Sequence, residues 1–117
     1  LDWELGHLGD RHEDLAYAAM PIFGSFIDEG RTFLVGGFMP ADEFYAAYEG
    51  ASGLSVNPAT LQYYTILNCY KLVAITLATM YRIAVCGKTH HDVLMTWMLG
   101  VSYPMLELLR VKMEEVL

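Results

Sequence analysis

The longest part of this chain without a helix-breaking residue lies between Pro58 and Gly87. Asn57 followed by Pro58 is a typical helix start, because asparagine caps the helix and proline suits its first turn. About 29 residues in one helix would be roughly 43 Å long. With only 117 residues in all, the chain is predicted to be mainly helical and to hold one compact core.

This predicted long helix has one wide apolar face. At 100° per residue its apolar residues fall within about 140° of arc and are expected to face a core. They are Tyr63, Ile66, Leu67, Tyr70, Val73, Ala74, Leu77, Met80, Tyr81 and Ala84. The opposite arc mixes polar residues with apolar ones, so it is neither a plain solvent face nor a plain core.

Two shorter helices are predicted in the first half. Asp10 is expected to cap a helix, with Glu13 at the third helical position, and Pro21 is expected to stop it. A second helix is predicted to open at Pro40 and to close at the glycines 50 and 53. Its buried side is expected to consist of Phe44, Ala47, Tyr48 and Ala51.

The remaining segments are a loop and a last helix. Residues 21–39 are rich in glycine and phenylalanine and are predicted to form a surface loop. Residues 90–116 are predicted to form a helix with a bend near Gly100 to Pro104, because proline removes a backbone hydrogen bond.

Charge and hydropathy exclude several classes of function. The net charge is −7, with 14 acidic and 7 basic residues, so binding to nucleic acid or to an anionic membrane surface is not expected. Lys71 and Arg82 interrupt the most apolar segment, so no membrane span is predicted. No signal peptide is recognisable at Leu1-Asp2-Trp3-Glu4, and free thiols suit a reducing compartment, so a cytoplasmic location is expected.

Cysteine and histidine spacing points to no metal site. Cys69 and Cys86 lie about 25 Å apart along one predicted helix, too far for a disulfide, and both are predicted to be buried thiols. The histidines 7 and 12 are five positions apart and the histidines 90 and 91 are adjacent, which is not the spacing of a helical zinc pair. All four are therefore interpreted as surface or cap residues.

The first fourteen residues are the most acidic part of the chain. Five carboxylates surround two glycines in this segment, and such a density suits a hard cation such as Mg²⁺. The five are Asp2, Glu4, Asp10, Glu13 and Asp14. The simpler interpretation is that they are helix caps and solvated charges.

The same residues carry a resemblance to a known family. The segments Leu1-Asp2-Trp3-Glu4-Leu5, Gly9-Asp10 and Asp14-Leu15-Ala16 resemble the metal-binding segment of the aminoglycoside phosphotransferase-like kinases. The Trp3-Glu4 pair looks most like the branch of kinase-like domains that are linked to acyl-CoA dehydrogenases. Arg11 departs from that branch, which commonly has proline there.

The resemblance implies a role for each acidic residue. Asp2 would correspond to the aspartate that binds Mg²⁺ bridging the β- and γ-phosphates of ATP. Asp14 would support the catalytic loop and Asp10 would act as a helix cap. Glu4 is either a second metal ligand or an ordinary surface acid.

The resemblance also implies that this chain is the carboxy-terminal helical subdomain of a protein-kinase-like fold, with at most a short β remnant at its amino terminus. Family members have their catalytic loop and nucleotide-binding lobe upstream of the first residues seen here. Residues 1–117 are therefore expected to be a single partial domain without catalytic residues, inactive alone and holding no tightly bound cofactor. The parent protein would use Mg²⁺ and ATP to phosphorylate a small-molecule hydroxyl. The residues expected to line the acceptor wall are Tyr64, Asn68, Lys71 and Arg82.

A second hypothesis belongs to a different class. The chain is 55% hydrophobic, and a helical piece separated from a larger lobe would expose a wide apolar surface. Such a surface favours self-association, so a non-catalytic, all-α interaction domain that forms a homodimer or another homo-oligomer is the alternative.

Overall fold

The structure is a computed structural model that describes residues 6–86 and 92–117. It is mainly helical and contains one antiparallel sheet of three strands. The chain divides into two compact units, Leu1–Tyr64 and Thr65–Leu117, which are described separately. The elements in chain order are α1 (Arg11–Ala18), β1 (Ser25–Ile27), β2 (Thr32–Val35), β3 (Met39–Pro40), α2 (Ala41–Ser52), α3 (Pro58–Ile75), α4 (Tyr81–Cys86) and α5 (Asp92–Glu114).

Helix α1 begins after its cap at Asp10, as the sequence predicts, and ends at Ala18, three residues before Pro21. The Asp10 side chain accepts a hydrogen bond from the backbone N–H of His12, which satisfies one of the free donors of the first turn. The helix stops before Pro21, whose ring cannot continue it. Leu15, Ala16 and Met20 are buried and form the centre of the core in the first unit.

The predicted loop over residues 21–39 is wrong, because this segment contains most of the sheet. Strands β1 and β2 pair antiparallel with Phe26 opposite Phe33, and the two rings are tilted by 53° with their centroids 5.2 Å apart. Strands β2 and β3 are joined by a turn in which Gly36 and Gly37 have φ of 59° and 79°, values that side-chain-bearing residues rarely adopt. The β remnant expected at residues 1–5 lies outside the described residues.

Helix α2 packs against β2 and β3. It continues through Gly50 and ends at Gly53, which takes the left-handed conformation (φ 70°) and donates its backbone N–H to Glu49 O. The predicted buried side is partly wrong: Phe44 and Tyr48 are half-buried, but Ala47 and Ala51 are exposed. Half-burial also raises the pKa of the neighbouring Tyr45 phenol above its usual value.

The long helix is present but is interrupted once. A π-helical turn at Thr76–Met80 separates α3 from α4. The hydroxyl of Thr76 donates to Leu72 O at 2.8 Å, with Val73 O 3.1 Å away, so a side chain competes for the carbonyls of the preceding turn. Such competition is a recognised cause of helix irregularity.

The predicted core face of this helix is largely wrong. Val73 is buried, but other residues of that face are exposed: Tyr63, Tyr70, Ala74, Leu77 and Tyr81. The buried positions of α3 lie partly on the arc described as mixed and include Asn68 together with Cys69. Helical periodicity therefore identified the element but not the side that faces the core.

Helix α5 continues past both Gly100 and Pro104, so neither residue ends it. Ser102 and Met105 are its buried residues in the described part, and α5 contacts both α4 and the π-helical turn. Among the helices of the described residues, none is both long enough and apolar enough to cross a membrane.

Candidate functional site

The acidic segment before α1 forms a small cavity. Residues between Gly6 and Asp14 line this open cavity of about 490 Å³, and the ionisable side chains among them are His7, Asp10, Arg11, Glu13 and Asp14. Of the five acidic residues singled out in the sequence, the structure places Asp10, Glu13 and Asp14 at this one cavity. Asp2 and Glu4 lie outside the described residues.

Asp10 holds the first turn of α1 together. Its Oδ1 accepts from the backbone N–H of His12 at 2.8 Å and from the His12 ring at 2.5 Å, and its own carbonyl accepts from Glu13 N at 3.0 Å. The backbone hydrogen bond from His12 is the main reason that the pKa of the Asp10 carboxyl lies below its usual value. The role expected of Asp10 as a helix cap is therefore present in the structure.

The other two carboxylates at the cavity differ in their surroundings. The Oε2 of Glu13 lies 3.0 Å from Nε2 of His7. Asp14 is exposed in the first turn of α1, close to the positive end of the helix dipole. Over the described residues, no group of three or more His, Cys, Asp or Glu side chains is arranged to hold a metal ion.

His12 was expected to be a surface or cap residue; it is not at the surface but buried, and it is hydrogen-bonded to the cap residue Asp10. Its Nε2 accepts a hydrogen bond from the backbone N–H of Asn57 at 2.9 Å. Because Nε2 acts as an acceptor, the ring proton is assigned to Nδ1, which donates to Asp10. The ring therefore links the cap of α1 to the cap of α3, because Asn57 Oδ1 accepts from Thr60 N at 3.0 Å.

Arg11 makes a second link to the same segment. Its Nη2 donates to Ser55 O at 2.8 Å, across 44 positions of sequence. Its Nε is buried and has no hydrogen-bond partner in the described part of the chain. From α2, Glu49 Oε1 accepts from Val56 N at 2.6 Å. The side chains of Arg11, His12 and Glu49 thus each accept from or donate to the backbone of the short connection between α2 and α3.

These links were missed in the sequence because they join distant positions. Only one local sign indicated His12: it precedes Leu15 and Ala16 by three and four residues, so the three share a helix face. Those two residues are buried, and His12 is buried with them. Nothing near Ser55 or Asn57 in the sequence identifies them as partners of α1.

The residues predicted for the acceptor wall lie along the long helix but differ in burial. Tyr64 is half-buried and its ring lies 5.1 Å from that of Tyr63. Lys71 is half-buried and Arg82 is exposed, whereas Asn68 has only 2% of its surface accessible. Asn68 is therefore an interior residue rather than part of an open wall.

The two cysteines also differ from one another. Both are free thiols. Cys69 is fully buried, as predicted, and desolvation raises the pKa of its thiol. Cys86 is exposed, so the prediction of burial is wrong for it.

Comparison of the chain with models of known protein families, with curated proteins and with solved structures gives no match.

Proposed function

We propose that this chain is part of an ATP-dependent small-molecule phosphotransferase of the aminoglycoside phosphotransferase-like kind. The proposal begins from the pattern Asp2-Trp3-Glu4, Gly9-Asp10 and Asp14-Leu15-Ala16. The single structural observation that supports it is the arrangement of residues 6–14, where an acidic segment leads into a helix that Asp10 caps and that carries Asp14 on its exposed first turn. That order of segment, cap and helix is what the resemblance implies.

The donor chemistry of the cavity suits Mg²⁺. Mg²⁺ prefers carboxylate oxygens, and in phosphotransferases it takes one or two of them and completes its shell with water and phosphate oxygens. Three carboxylates, those of Asp10, Glu13 and Asp14, line the cavity, and Asp2 would be the principal ligand with Glu4 as a second candidate. A dedicated cage of three protein ligands is not required for this use of the metal.

The roles of the residues follow from this arrangement. A Mg²⁺ ion bound here would supply charge neutralisation for the phosphates of ATP. Asp2 would hold that metal, and Asp10 would fix the segment that carries it by capping α1. Lys71 and Arg82 are the two cationic candidates for contact with an acceptor, and Tyr64 is a third candidate. Asn68 would act from the interior, by positioning the helix. We expect such an enzyme in the cytoplasm.

The test starts from the DNA upstream of the Leu1 codon. A His-x-Asp loop followed five residues later by asparagine is expected in frame. The longer protein should then transfer phosphate from ATP, and Asp2→Asn should lower kcat about a hundredfold or more. Asp42→Asn, at an exposed position of α2, is the matched control and should keep full activity.

Two results would contradict this proposal. One is an unrelated sequence or a stop codon upstream of Leu1. The other is full activity in Asp2→Asn. The isolated 117-residue chain is expected to be inactive, so turnover by that chain that Asp2→Ala abolishes would show that it needs no further lobe.

A second candidate function is self-association without catalysis. It is favoured by one observation: on α5, the large apolar residues Val93, Trp97 and Tyr103 have 77%, 70% and 75% of their surface accessible. Exposed clusters of this kind are typical of interaction surfaces. If the chain acts in this way, light scattering at micromolar concentration gives the mass of a dimer or larger oligomer.

Variants separate the two candidates. Trp97→Lys should shift an oligomer towards monomer, while Phe38→Lys, at an exposed turn in the first unit, should not. A monomeric wild-type chain would contradict self-association. Asp2→Asn should leave an interaction domain unaffected, whereas it should inactivate a kinase.

A further inference from the structure

The two edges of the three-stranded sheet are protected to different degrees. The strand order is β1-β2-β3, so β1 and β3 each have one side without a strand partner in the described part of the chain. Strand β3 has only two residues, the second of which is Pro40 with no N–H to donate, and α2 follows it directly. Short strands and prolines are common ways to block a sheet edge, so β3 is a poor template for a further strand.

Strand β1 is the open edge. All three of its residues are exposed, and Phe26 and Ile27 have 56% and 43% of their surface accessible. Its sequence, Ser25-Phe26-Ile27, contains neither the prolines nor the charges that usually block an edge. Phe26 lies opposite Phe33 of β2, so the inner side of the strand is paired in a defined register. The outer side is therefore a template on which another extended segment can pair.

Two carboxylates lie directly beyond the end of this edge. Asp28 and Glu29 follow Ile27, and both side chains are exposed. Together with Arg31 and Thr32 they line an open cavity of about 480 Å³. Arg31 contacts Glu29 at 3.1 Å, and an exposed pair of this kind adds little to stability and can exchange partners. Among the described residues Asp28 is paired with no cation, and its contact is the Thr32 hydroxyl at 3.4 Å.

We infer that the edge of β1 binds an extended, basic peptide segment, which adds as a fourth strand and places a lysine or arginine beside Asp28 and Glu29. Main-chain hydrogen bonds supply part of the affinity in such strand additions. Phe26 and Ile27 offer apolar contacts on opposite faces of the strand, because successive side chains alternate. With only three residues β1 gives few backbone hydrogen bonds, so the ionic contact contributes to recognition.

The charge of the first unit favours this partner over a second copy of the chain. Residues 1–64 contain ten acidic residues and two arginines. Two copies that met at β1 would bring like charges together, whereas a cationic segment is attracted. The inference depends neither on the proposed phosphotransferase activity nor on the exposed residues of α5, because the binding surface lies within residues 25–32.

Fluorescence anisotropy of a labelled peptide, Lys-Val-Thr-Val-Lys, with the 117-residue chain tests this inference. The peptide should bind at low ionic strength, and about 0.5 M salt should weaken the binding. One control peptide has glutamate in place of lysine. A second has proline in place of valine, which keeps the charge but removes N–H donors. Each control should bind about tenfold more weakly, or worse, because each lacks one of the two kinds of contact.

Matched variants of the protein locate the charge. Asp28→Asn combined with Glu29→Gln should weaken binding of the lysine peptide about fivefold, the scale of one or two surface ion pairs. Asp42→Asn combined with Glu43→Gln removes the same charge at exposed positions of α2 and should change the affinity less than about twofold. If the first pair of substitutions prevents folding, amide NMR of the wild-type chain decides. The peptide should shift the signals of Ser25–Ile27, and a spectrum in which they do not move would contradict the inference.

Three further results would overturn it. The first is equal binding of the lysine and glutamate peptides, or no binding of the lysine peptide at about 1 mM. The second is an equal loss of affinity in the two double variants, because attraction would then come from the overall charge alone. The third is a change of the β1 amide signals with protein concentration in the absence of peptide, because a second copy would then occupy the edge.

Discussion

Different kinds of interaction stabilise the two units of this protein internally. In the first unit, single polar side chains join positions far apart in sequence, as Arg11 does to Ser55 and His12 does to Asn57. In the second unit, Arg110 pairs with Glu107 and Glu114, contacts that span three or four residues of one helix. The interior of that unit comes from helices packed around residues such as Cys69, Val73 and Met105.

This difference has a physical consequence. A directional hydrogen bond between distant segments fixes a specific geometry, and losing one partner leaves the other unsatisfied. Local ion pairs on an exposed helix face add little to stability and do not position one helix against another. The long-range links of the first unit are therefore suited to hold a site with defined geometry, and the second unit carries exposed aromatic residues at Trp97 and Tyr103.

The largest expected effect tests the apolar core of the first unit. Met20 is 1% exposed, so Met20→Ala should lower the free energy of unfolding by about 3 kcal/mol through lost burial and a cavity. Met113, in the second unit, is 45% exposed, and Met113→Ala should cost about 0.5 kcal/mol. Urea unfolding followed by circular dichroism measures both. Equal costs would show that Met20 is not part of a packed core.

The next effect tests the polar links. His12→Ala removes a buried acceptor and leaves the Asn57 N–H unpaired, so it should cost about 2 kcal/mol near pH 7.5. His7→Ala removes an exposed ring from its contact with Glu13 and should cost about 0.5 kcal/mol. Urea titration of both variants at the same pH gives the comparison. A His12→Ala variant as stable as His7→Ala would mean that the first unit does not rely on this link.

A smaller effect concerns the end of α2. Gly53 has φ of 70°, so Gly53→Ala should destabilise by about 1 kcal/mol, because a Cβ is unfavourable in the left-handed region. Gly50 lies inside the same helix with open space around it, and Gly50→Ala should stabilise by about 0.7 kcal/mol. Thermal unfolding of the pair should give shifts of opposite sign. Shifts of the same sign would place the helix end elsewhere.

Elements with a local chemical signal could be predicted from the sequence. Asp10 as a cap, Pro21 as a stop and Gly53 as a helix end each depend on the conformation of one residue and its nearest neighbours. The sheet could not be predicted in this way. Strands of three, four and two residues are too short to show alternation, and their stability comes from pairing with each other.

The same distinction applies to the candidate site. The sequence brought attention to Asp10, Glu13 and Asp14, which are neighbours along one segment, and the structure places them at one cavity. Nothing in the sequence indicated Ser55 or Asn57, which are more than 40 positions from their partners in α1 along the chain and contact them in the folded structure. The metal-binding role of Asp2 rests on the resemblance and stays a prediction.

The smallest expected effect compares one carboxylate from each unit as the pH falls. The pKa of Asp10 is lowered by hydrogen bonds from His12, and that of Glu107 is lowered by hydrogen bonds from Arg110. A lowered folded-state pKa stabilises the fold above the usual value of the group, and this contribution is lost as the pH falls through the lowered value. Asp10→Asn keeps a cap acceptor but removes the charge. It should therefore be less stable than wild type at about pH 6, and the difference should close once the pH has fallen below the lowered pKa of the Asp10 carboxyl.

The matched variant in the second unit is Glu107→Gln. Its ion pair with Arg110 is exposed, so its contribution should be smaller and should vanish in about 0.5 M salt, which screens charges beyond a few ångströms. The Asp10 contribution should persist in salt, because its partners include a backbone N–H and a buried ring rather than a solvated charge. Urea unfolding at both pH values and both salt concentrations separates the two. Equal salt sensitivity would mean that Asp10 acts as an ordinary surface charge, and the contrast between the two units would then rest on His12 and Arg11 alone.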